Sequence, residues 1–101
     1  MIREVAHLEI DPARTEDFLA GYRAAIPLFL AARGCRSVAL ERCVEQPGRF
    51  HLLVVWETLE DHTVHFRNSE DFQKWRGLVG AYFVAPPQVI HFKVEEPTTP
   101  N

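Results

Sequence analysis

The run Leu52-Leu53-Val54-Val55-Trp56 constrains this chain most, because it is apolar on both faces of any strand that it forms. A strand with one solvent-exposed face alternates apolar and polar side chains, whereas a strand covered on both faces is apolar throughout. A chain of 101 residues forms one domain with a single core. We therefore expect the helices of this domain to cover one face of the strand and something else to cover the other.

Hydrophobic periodicity predicts the remaining elements. Four strands are predicted, over residues 3–10, 36–44, 50–57 and 88–95, where apolar residues alternate or run continuously. A first helix is predicted over 15–33 and followed by Gly34, a residue suited to the position after a helix C-terminus. Pro27 should kink or split this helix near Ala25, because proline has no backbone N–H to donate.

A second helix is predicted between the third and fourth strands. It begins at the capping-box pattern Thr58-Leu59-Glu60-Asp61, restarts after Ser69 and ends before Pro86. The order strand, helix, strand, strand, helix, strand is the ferredoxin-like βαββαβ arrangement of the α+β class. Right-handed crossovers place both helices on one face of a four-stranded antiparallel sheet, with the expected spatial order fourth, first, third, second.

The uncovered sheet face predicts a partner. In a chain this short the candidate is a second copy, since large apolar patches mark interaction sites and most oligomers are symmetric homo-oligomers. We expect a homodimer that joins two sheets face to face around a cavity. The domain is predicted over residues 1–95, and 96–101 are predicted to form a C-terminal tail.

Composition excludes several classes of function. Eleven Lys+Arg against fourteen Asp+Glu give a formal charge of −3 without a basic stretch, so nucleic acid is not an expected partner. The apolar runs are far shorter than the roughly 20 residues that span a bilayer. The residues after Met1 contain no apolar signal-peptide segment. Two cysteines, Cys35 and Cys43, are predicted to be free thiols, and we expect a cytoplasmic protein.

The five histidines are the main candidates for chemistry. By strand parity, His7, His51 and His91 each lie opposite apolar neighbours, so all three would face the dimer cavity if those neighbours face the helices. Three imidazoles could orient an acidic phenol or bind a metal, or could simply be half-buried side chains. No sequential histidine or carboxylate ligand pattern supports a metal, and no glycine-rich loop indicates a nucleotide or flavin.

A long segment resembles the antibiotic biosynthesis monooxygenase family, whose members form dimeric α+β barrels. The similar residues are Pro47-Gly48-Arg49-Phe50, Leu53-Val54-Val55-Trp56-Glu57-Thr58-Leu59-Glu60-Asp61-His62, His65-Phe66, Ser69, Phe72, Trp75 and Pro86-Pro87. The likeness extends over about residues 2–95. It implies a cofactor-independent monooxygenase that oxidises a small phenolic, quinol or polycyclic aromatic substrate with dioxygen.

The resemblance also suggests roles for particular side chains. His65 falls where the family commonly carries a helix histidine, and it is the predicted catalytic base, although an exposed helix histidine would fit equally. The predicted substrate-binding residues are His7, His51, Trp56, His62, Phe66 and His91. Trp56 and Phe66 are also what an ordinary core would contain. The alternative function is a non-catalytic dimeric barrel that binds a small hydrophobic metabolite.

Overall fold

The computed structural model describes residues 1–97 and 99, and it has the predicted order of elements. Three further short turns accompany the six main elements: 3-10 turns at Pro12–Arg14 and Gly80–Tyr82, and a π-helical turn at Asp61–Phe66. The main elements are β1 (Ile2–Glu9), α1 (Thr15–Leu30), β2 (Cys35–Arg42), β3 (Arg49–Trp56), α2 (Glu70–Val79) and β4 (Gln88–Lys93). The predicted tail over 96–101 falls partly on Thr98, Pro100 and Asn101, which lie outside the described residues.

The sheet has the order β2-β3-β1-β4, and all three pairings are antiparallel. The predicted ferredoxin-like α+β fold is thereby confirmed. Alternate residues of β1 and β3 face the two main helices and are almost completely buried. The core on this side contains the large buried side chains Leu8, Phe18, Phe29, Phe50, Val54, Trp56 and Val79.

The first helix departs from its predicted form at its end. Pro27 lies inside α1 without splitting it, and the helix ends at Leu30, about one turn after the proline. Gly34 then adopts a φ of 76°, which is the left-handed conformation that suits glycine. Its carbonyl accepts a hydrogen bond from the Glu57 amide at 2.8 Å, so this turn is joined to the end of β3.

The segment after β3 contains the predicted capping box but continues as a π-helix. The Thr58 amide donates to Asp61 Oδ2 and the Asp61 amide donates to Thr58 Oγ1, each at 3.2 Å. The Arg67 amide bonds to the His62 carbonyl, five residues earlier, at 3.0 Å. Such wider turns are rare and are frequently found at functional sites. The effect here is to direct His62 into the core, where it is 3% exposed.

No helix in residues 1–97 is long and apolar enough to cross a membrane.

The second face of the sheet carries no element from the described part of the chain. Two apolar side chains of β4 on this face, Ile90 and Phe92, are 45% and 51% exposed. The described part of the chain therefore leaves open the sheet face opposite the helices, for which the apolar third strand predicts a cover.

Candidate functional site

A cavity of about 590 Å³ lies between the sheet and α2. This volume is within the range of pockets that bind small organic ligands, roughly 300–1,000 Å³. Its walls are mainly apolar, and two charged side chains, Glu4 and Arg76, reach it. The apolar walls are formed by Ala6, Leu8, Leu52, Phe72, Trp75 and the loop 83–87.

Glu4 belongs to a buried hydrogen-bond network at one side of this cavity. The Trp56 indole Nε1–H donates to Glu4 Oε1 at 2.9 Å. Nε2 of His62 lies 3.3 Å from the same oxygen. Nδ1 of His62 lies 2.8 Å from Nε2 of His91. These contacts form a continuous chain of polar atoms from the cavity wall through the core to the edge strand β4.

Strand pairing and ring stacking bring these side chains together. Glu4 shares its strand face with Ala6 and Leu8, and it is the cross-strand partner of Val54 in β3 and of His91 in β4. The Trp56 ring stacks on the His62 ring, with centroids 5.4 Å apart and planes inclined by 12°. This stacking holds the imidazole between the Glu4 carboxyl and the His91 ring.

Burial shifts the protonation equilibria of the network. Removal of the Glu4 carboxyl from water raises its pKa to about 7, although the Trp56 hydrogen bond and the Arg67 charge oppose the shift. Burial, the Arg67 charge and the neighbouring His91 lower the pKa of His62 to about 4. Burial and Arg67 also lower the pKa of His91. Glu4 is therefore able to exchange a proton near neutral pH while both rings stay neutral.

The neutral rings define the directions of the hydrogen bonds. With Glu4 ionised, His62 Nε2–H donates to Glu4 Oε1, and His62 Nδ1 then accepts from His91 Nε2–H. Both donors to Glu4 contact Oε1, so the other oxygen is the one that a molecule in the cavity can approach. A carboxyl group with a pKa near neutrality beside an apolar cavity can act as a general base toward a phenolic O–H or an activated C–H.

The prediction that three strand histidines share one face is wrong for His91. His91 pairs with Glu4 and lies on the helix side of the sheet. The parity of β4 is the reverse of the expected one, because its apolar residues Ile90 and Phe92 face outward to the open side. His7 and His51 are on that open side, where they are cross-strand partners with ring centroids 4.3 Å apart.

The predicted base, His65, is an exposed residue of the π-helical turn and is not among the side chains that line the cavity. Its assignment stays a prediction to which the geometry adds no support. Phe66 and Trp56 are buried and pack against each other with centroids 5.5 Å apart. Of the predicted substrate-binding residues, the structure brings Trp56, His62 and His91 together at the Glu4 side of the cavity.

Sequence reasoning missed Glu4, although a signal was present. An acidic residue two positions before Ala6, on the parity of Leu8, must be buried if that face packs on the helices. A carboxyl is almost never fully buried without a partner, so this position indicates a polar network or a functional group. Among residues 1–97, no cluster of three or more histidine, cysteine, aspartate or glutamate side chains is arranged to hold a metal ion.

The fold and cavity define a ferredoxin-like α+β domain with an internal acid–base network, and comparisons with known proteins identify its family. The sequence profile of the family described as antibiotic biosynthesis monooxygenase matches residues 1–78. The uncharacterized protein YczJ of Bacillus subtilis is 38% identical over 93 residues, which cover 92% of this chain and 98% of YczJ. The chain belongs to the antibiotic biosynthesis monooxygenase family, as its resemblance predicts.

Solved structures agree with this membership. A proposed antibiotic biosynthesis monooxygenase from Bordetella bronchiseptica is 52% identical, with a TM-score of 0.90 over 92% of this chain and 95% of that one. Rv0793 from Mycobacterium tuberculosis has a TM-score of 0.78 at 21% identity, over 97% of this chain and 98% of its own, a likeness of fold alone. Family membership and the Bordetella relative support a monooxygenase-like function.

Proposed function

We propose that this protein is a cofactor-independent monooxygenase whose substrate is a small phenol, quinol or anthrone-like aromatic held in the cavity beside α2. The observation that carries this proposal is the position of Glu4, a buried carboxyl with a pKa of about 7 that borders an apolar cavity. Aliphatic side chains of the sheet and the rings of Phe72 and Trp75 line the cavity, and such walls favour a planar aromatic ligand.

The chemistry needs a base and exclusion of water. Glu4 removes the acidic proton of the bound aromatic, and the resulting electron-rich anion supplies electrons to dioxygen. For an anthrone, one oxygen atom enters the product as a quinone carbonyl and the other leaves as water. The substrate supplies all four electrons, so the equation anthrone plus dioxygen to anthraquinone plus water balances without another reductant.

Glu4 replaces His65 as our first choice for the base, because it borders the cavity whereas His65 is exposed. Trp56 and His62 hold the carboxylate through Oε1, and Arg76 is available to a substrate anion at the cavity wall. A second candidate function, binding of an unreacted hydrophobic metabolite, is favoured by the apolar character of most of the wall.

Oxygen uptake separates these functions. Chelator-treated protein is assayed with a panel of catechols, hydroquinones and anthrones, together with Glu4→Gln and His65→Ala. Glutamine keeps the size of the side chain and an oxygen acceptor for Trp56 but cannot take a proton, so we expect kcat to fall about 100-fold or more. His65→Ala should retain wild-type uptake. Loss in His65→Ala with full uptake in Glu4→Gln would return the base to His65.

We also propose that two protomers pair through the open sheet face. Five apolar side chains of three strands support this pairing, because they share that face and are left partly or largely exposed: Val5, Leu53, Val55, Ile90 and Phe92. His7 and His51 lie beside them and would enter the interface.

We also propose a cytoplasmic location, since Cys35 and Cys43 are free, as is usual in a reducing compartment.

A further inference from the structure

The polar chain that starts at Glu4 continues well past the cavity. Glu4 is 4% exposed and His62 is 3% exposed, so neither group meets bulk water directly. His91 is half-buried on the edge strand β4, and its Nε2 is 2.8 Å from His62 Nδ1. Each imidazole thus presents one nitrogen to a neighbour toward the cavity and one nitrogen toward the surface.

We infer that His62 and His91 form a proton relay that connects the buried Glu4 carboxyl with solvent. This inference rests on the proposed function, in which Glu4 is the base. In the outward direction, a proton on Glu4 Oε1 passes to His62 Nε2, the Nδ1 proton of His62 passes to His91 Nε2, and the Nδ1 proton of His91 passes to water. One proton leaves Glu4, one reaches solvent, and both rings end neutral.

The outward transfer changes the tautomer of both rings, which sets them for the opposite direction. Each ring now carries its proton on Nε2, so His62 Nε2–H can return a proton to Glu4 while His91 supplies His62 and water supplies His91. Turnover fits this alternation when the outward transfer ionises Glu4 in the substrate-filled cavity before chemistry begins. The free carboxylate oxygen then takes the substrate proton and gives it to the reduced oxygen when water forms, and the inward transfer follows product release. The relay carries one proton out and one proton in during each turnover.

The electrostatics of the relay favour neutral rings. The Arg67 guanidinium and burial both disfavour a positive charge on His62, and both lower the pKa of His91. Cys35 is the other titratable group coupled to Glu4, and burial holds the pKa of its thiol above the ordinary value, so it stays neutral near pH 7. A concerted transfer through neutral imidazoles avoids the buried imidazolium that a stepwise transfer would create.

The relay is tested first without substrate, by solution NMR on protein labelled with ¹⁵N-histidine. The rate at which the His62 ring N–H exchanges with water is measured at pH 6 to 8. We expect a decrease of at least tenfold in His91→Gln, whose amide can accept or donate a hydrogen bond but cannot transfer a proton. His91→Phe, which fills the space of the ring without a hydrogen bond, should show the same decrease. Wild-type exchange in both variants would overturn the relay.

The matched control is His51→Gln, which changes a strand histidine on the opposite face of the sheet. It should leave the exchange of the His62 ring proton unchanged, and backbone amide spectra verify that all variants fold. Equal slowing in His51→Gln and His91→Gln would mean a general change in local opening, and it would also overturn the relay.

A second measurement uses turnover of whichever aromatic is oxidised in the panel above. His91→Gln should lower kcat about tenfold with little change in KM, and added imidazole should restore kcat in proportion to its concentration. Glu4→Gln should not respond to imidazole. Slowed ring exchange without any oxygen uptake would support the relay and contradict the proposed oxygenase, whereas uptake with unchanged kcat in His91→Gln would contradict the relay alone.

Discussion

Glu4 and His91 are cross-strand partners in the β1–β4 pair, and the imidazole of His62 lies between the polar ends of their side chains. His62 Nε2 is 3.3 Å from Glu4 Oε1, and its Nδ1 is 2.8 Å from His91 Nε2. The π-helical turn Asp61–Phe66 supplies this third member from outside the sheet. The acid–base network therefore depends on two strands and a turn that are distant in the chain.

The Trp56 indole should control the acidity of Glu4. In Trp56→Phe the carboxylate loses the donor on Oε1, so the charged form is less stable and the pKa of Glu4 should rise above about 7. Carboxyl ¹³C NMR of labelled glutamate follows the titration directly. Trp75→Phe changes another ring of the cavity wall without removing this hydrogen bond, and it should shift the pKa less. An unchanged pKa in Trp56→Phe would contradict the assigned role.

The raised pKa of Glu4 predicts a pH-dependent stability. Since the pKa is 4.5 in the unfolded chain and about 7 in the fold, the contribution of neutral Glu4 is complete below pH 4.5 and is lost as the pH rises through 7. The shift corresponds to about 3 kcal/mol. Relative to wild type, the free energy of unfolding of Glu4→Gln should increase by roughly this amount as the pH rises from 4.5 to 7. Urea titrations at each pH measure the difference.

His62 should act in the opposite direction. Its pKa is lowered from 6.5 to about 4, so its contribution is complete above pH 6.5 and is lost as the pH falls through 4. His62→Gln removes this titration, and its free energy of unfolding relative to wild type should rise as the pH falls from 6.5 to 4. Because the two shifts oppose each other, the free energy of unfolding of wild type should change less with pH than that of either variant over this window. Parallel curves for all three proteins would contradict both assignments.

Gly34 should resist any substitution. A Cβ atom built there would overlap Asp61 Oδ2, and the residue has a φ of 76°. The left-handed conformation alone costs an L-residue about 1–2 kcal/mol, and displacement of Asp61 would also disturb the capping box with Thr58. We expect Gly34→Ala to lower the unfolding free energy by at least that amount. Gly77→Ala, in an open position of α2, should instead raise it by about 0.5–1 kcal/mol.

The open sheet face should determine the oligomeric state. Phe92→Asp places a charge in the proposed interface, where an unpaired buried charge is strongly unfavourable, and sedimentation should then detect monomers. Leu30→Asp is a matched control, because Leu30 is an apolar residue of α1 that is 54% exposed on the helix layer. It should remain dimeric. A wild-type protein that sediments as a monomer at micromolar concentration would contradict the pairing.

Much of the fold could be predicted from the sequence because local signals agreed with one another. The alternation in β1, the capping box at Thr58 and the continuous apolar run in β3 each point to the same βαββαβ order. The sheet order followed from the handedness of crossovers, which is a general property of L-amino acids. The end of α1 was harder to predict from the sequence. The apolar periodicity continues past Leu30, whereas the end of the helix one turn after Pro27 depends on backbone hydrogen bonds.

The sequence could predict only part of the candidate site. Parity brings Glu4 to the helix face, yet parity alone cannot say which face of β4 is buried, because Val89 and Phe92 are equally apolar on opposite sides. The side chain of His62 enters the core from a turn that forms a π-helix, which the capping-box pattern does not predict.

The sequence by itself determined the family, the order of the elements and the presence of one sheet face without cover, since these depend on local periodicity and chain length. Only the tertiary structure decided that Glu4, Trp56, His62 and His91 meet. Their contacts join residues up to 87 positions apart in the chain, and hydrogen bonds at such separations are determined by the packing of whole elements. The shift in the pKa of Glu4 follows from that packing, because it combines burial of the carboxyl with the positions of Trp56 and Arg67.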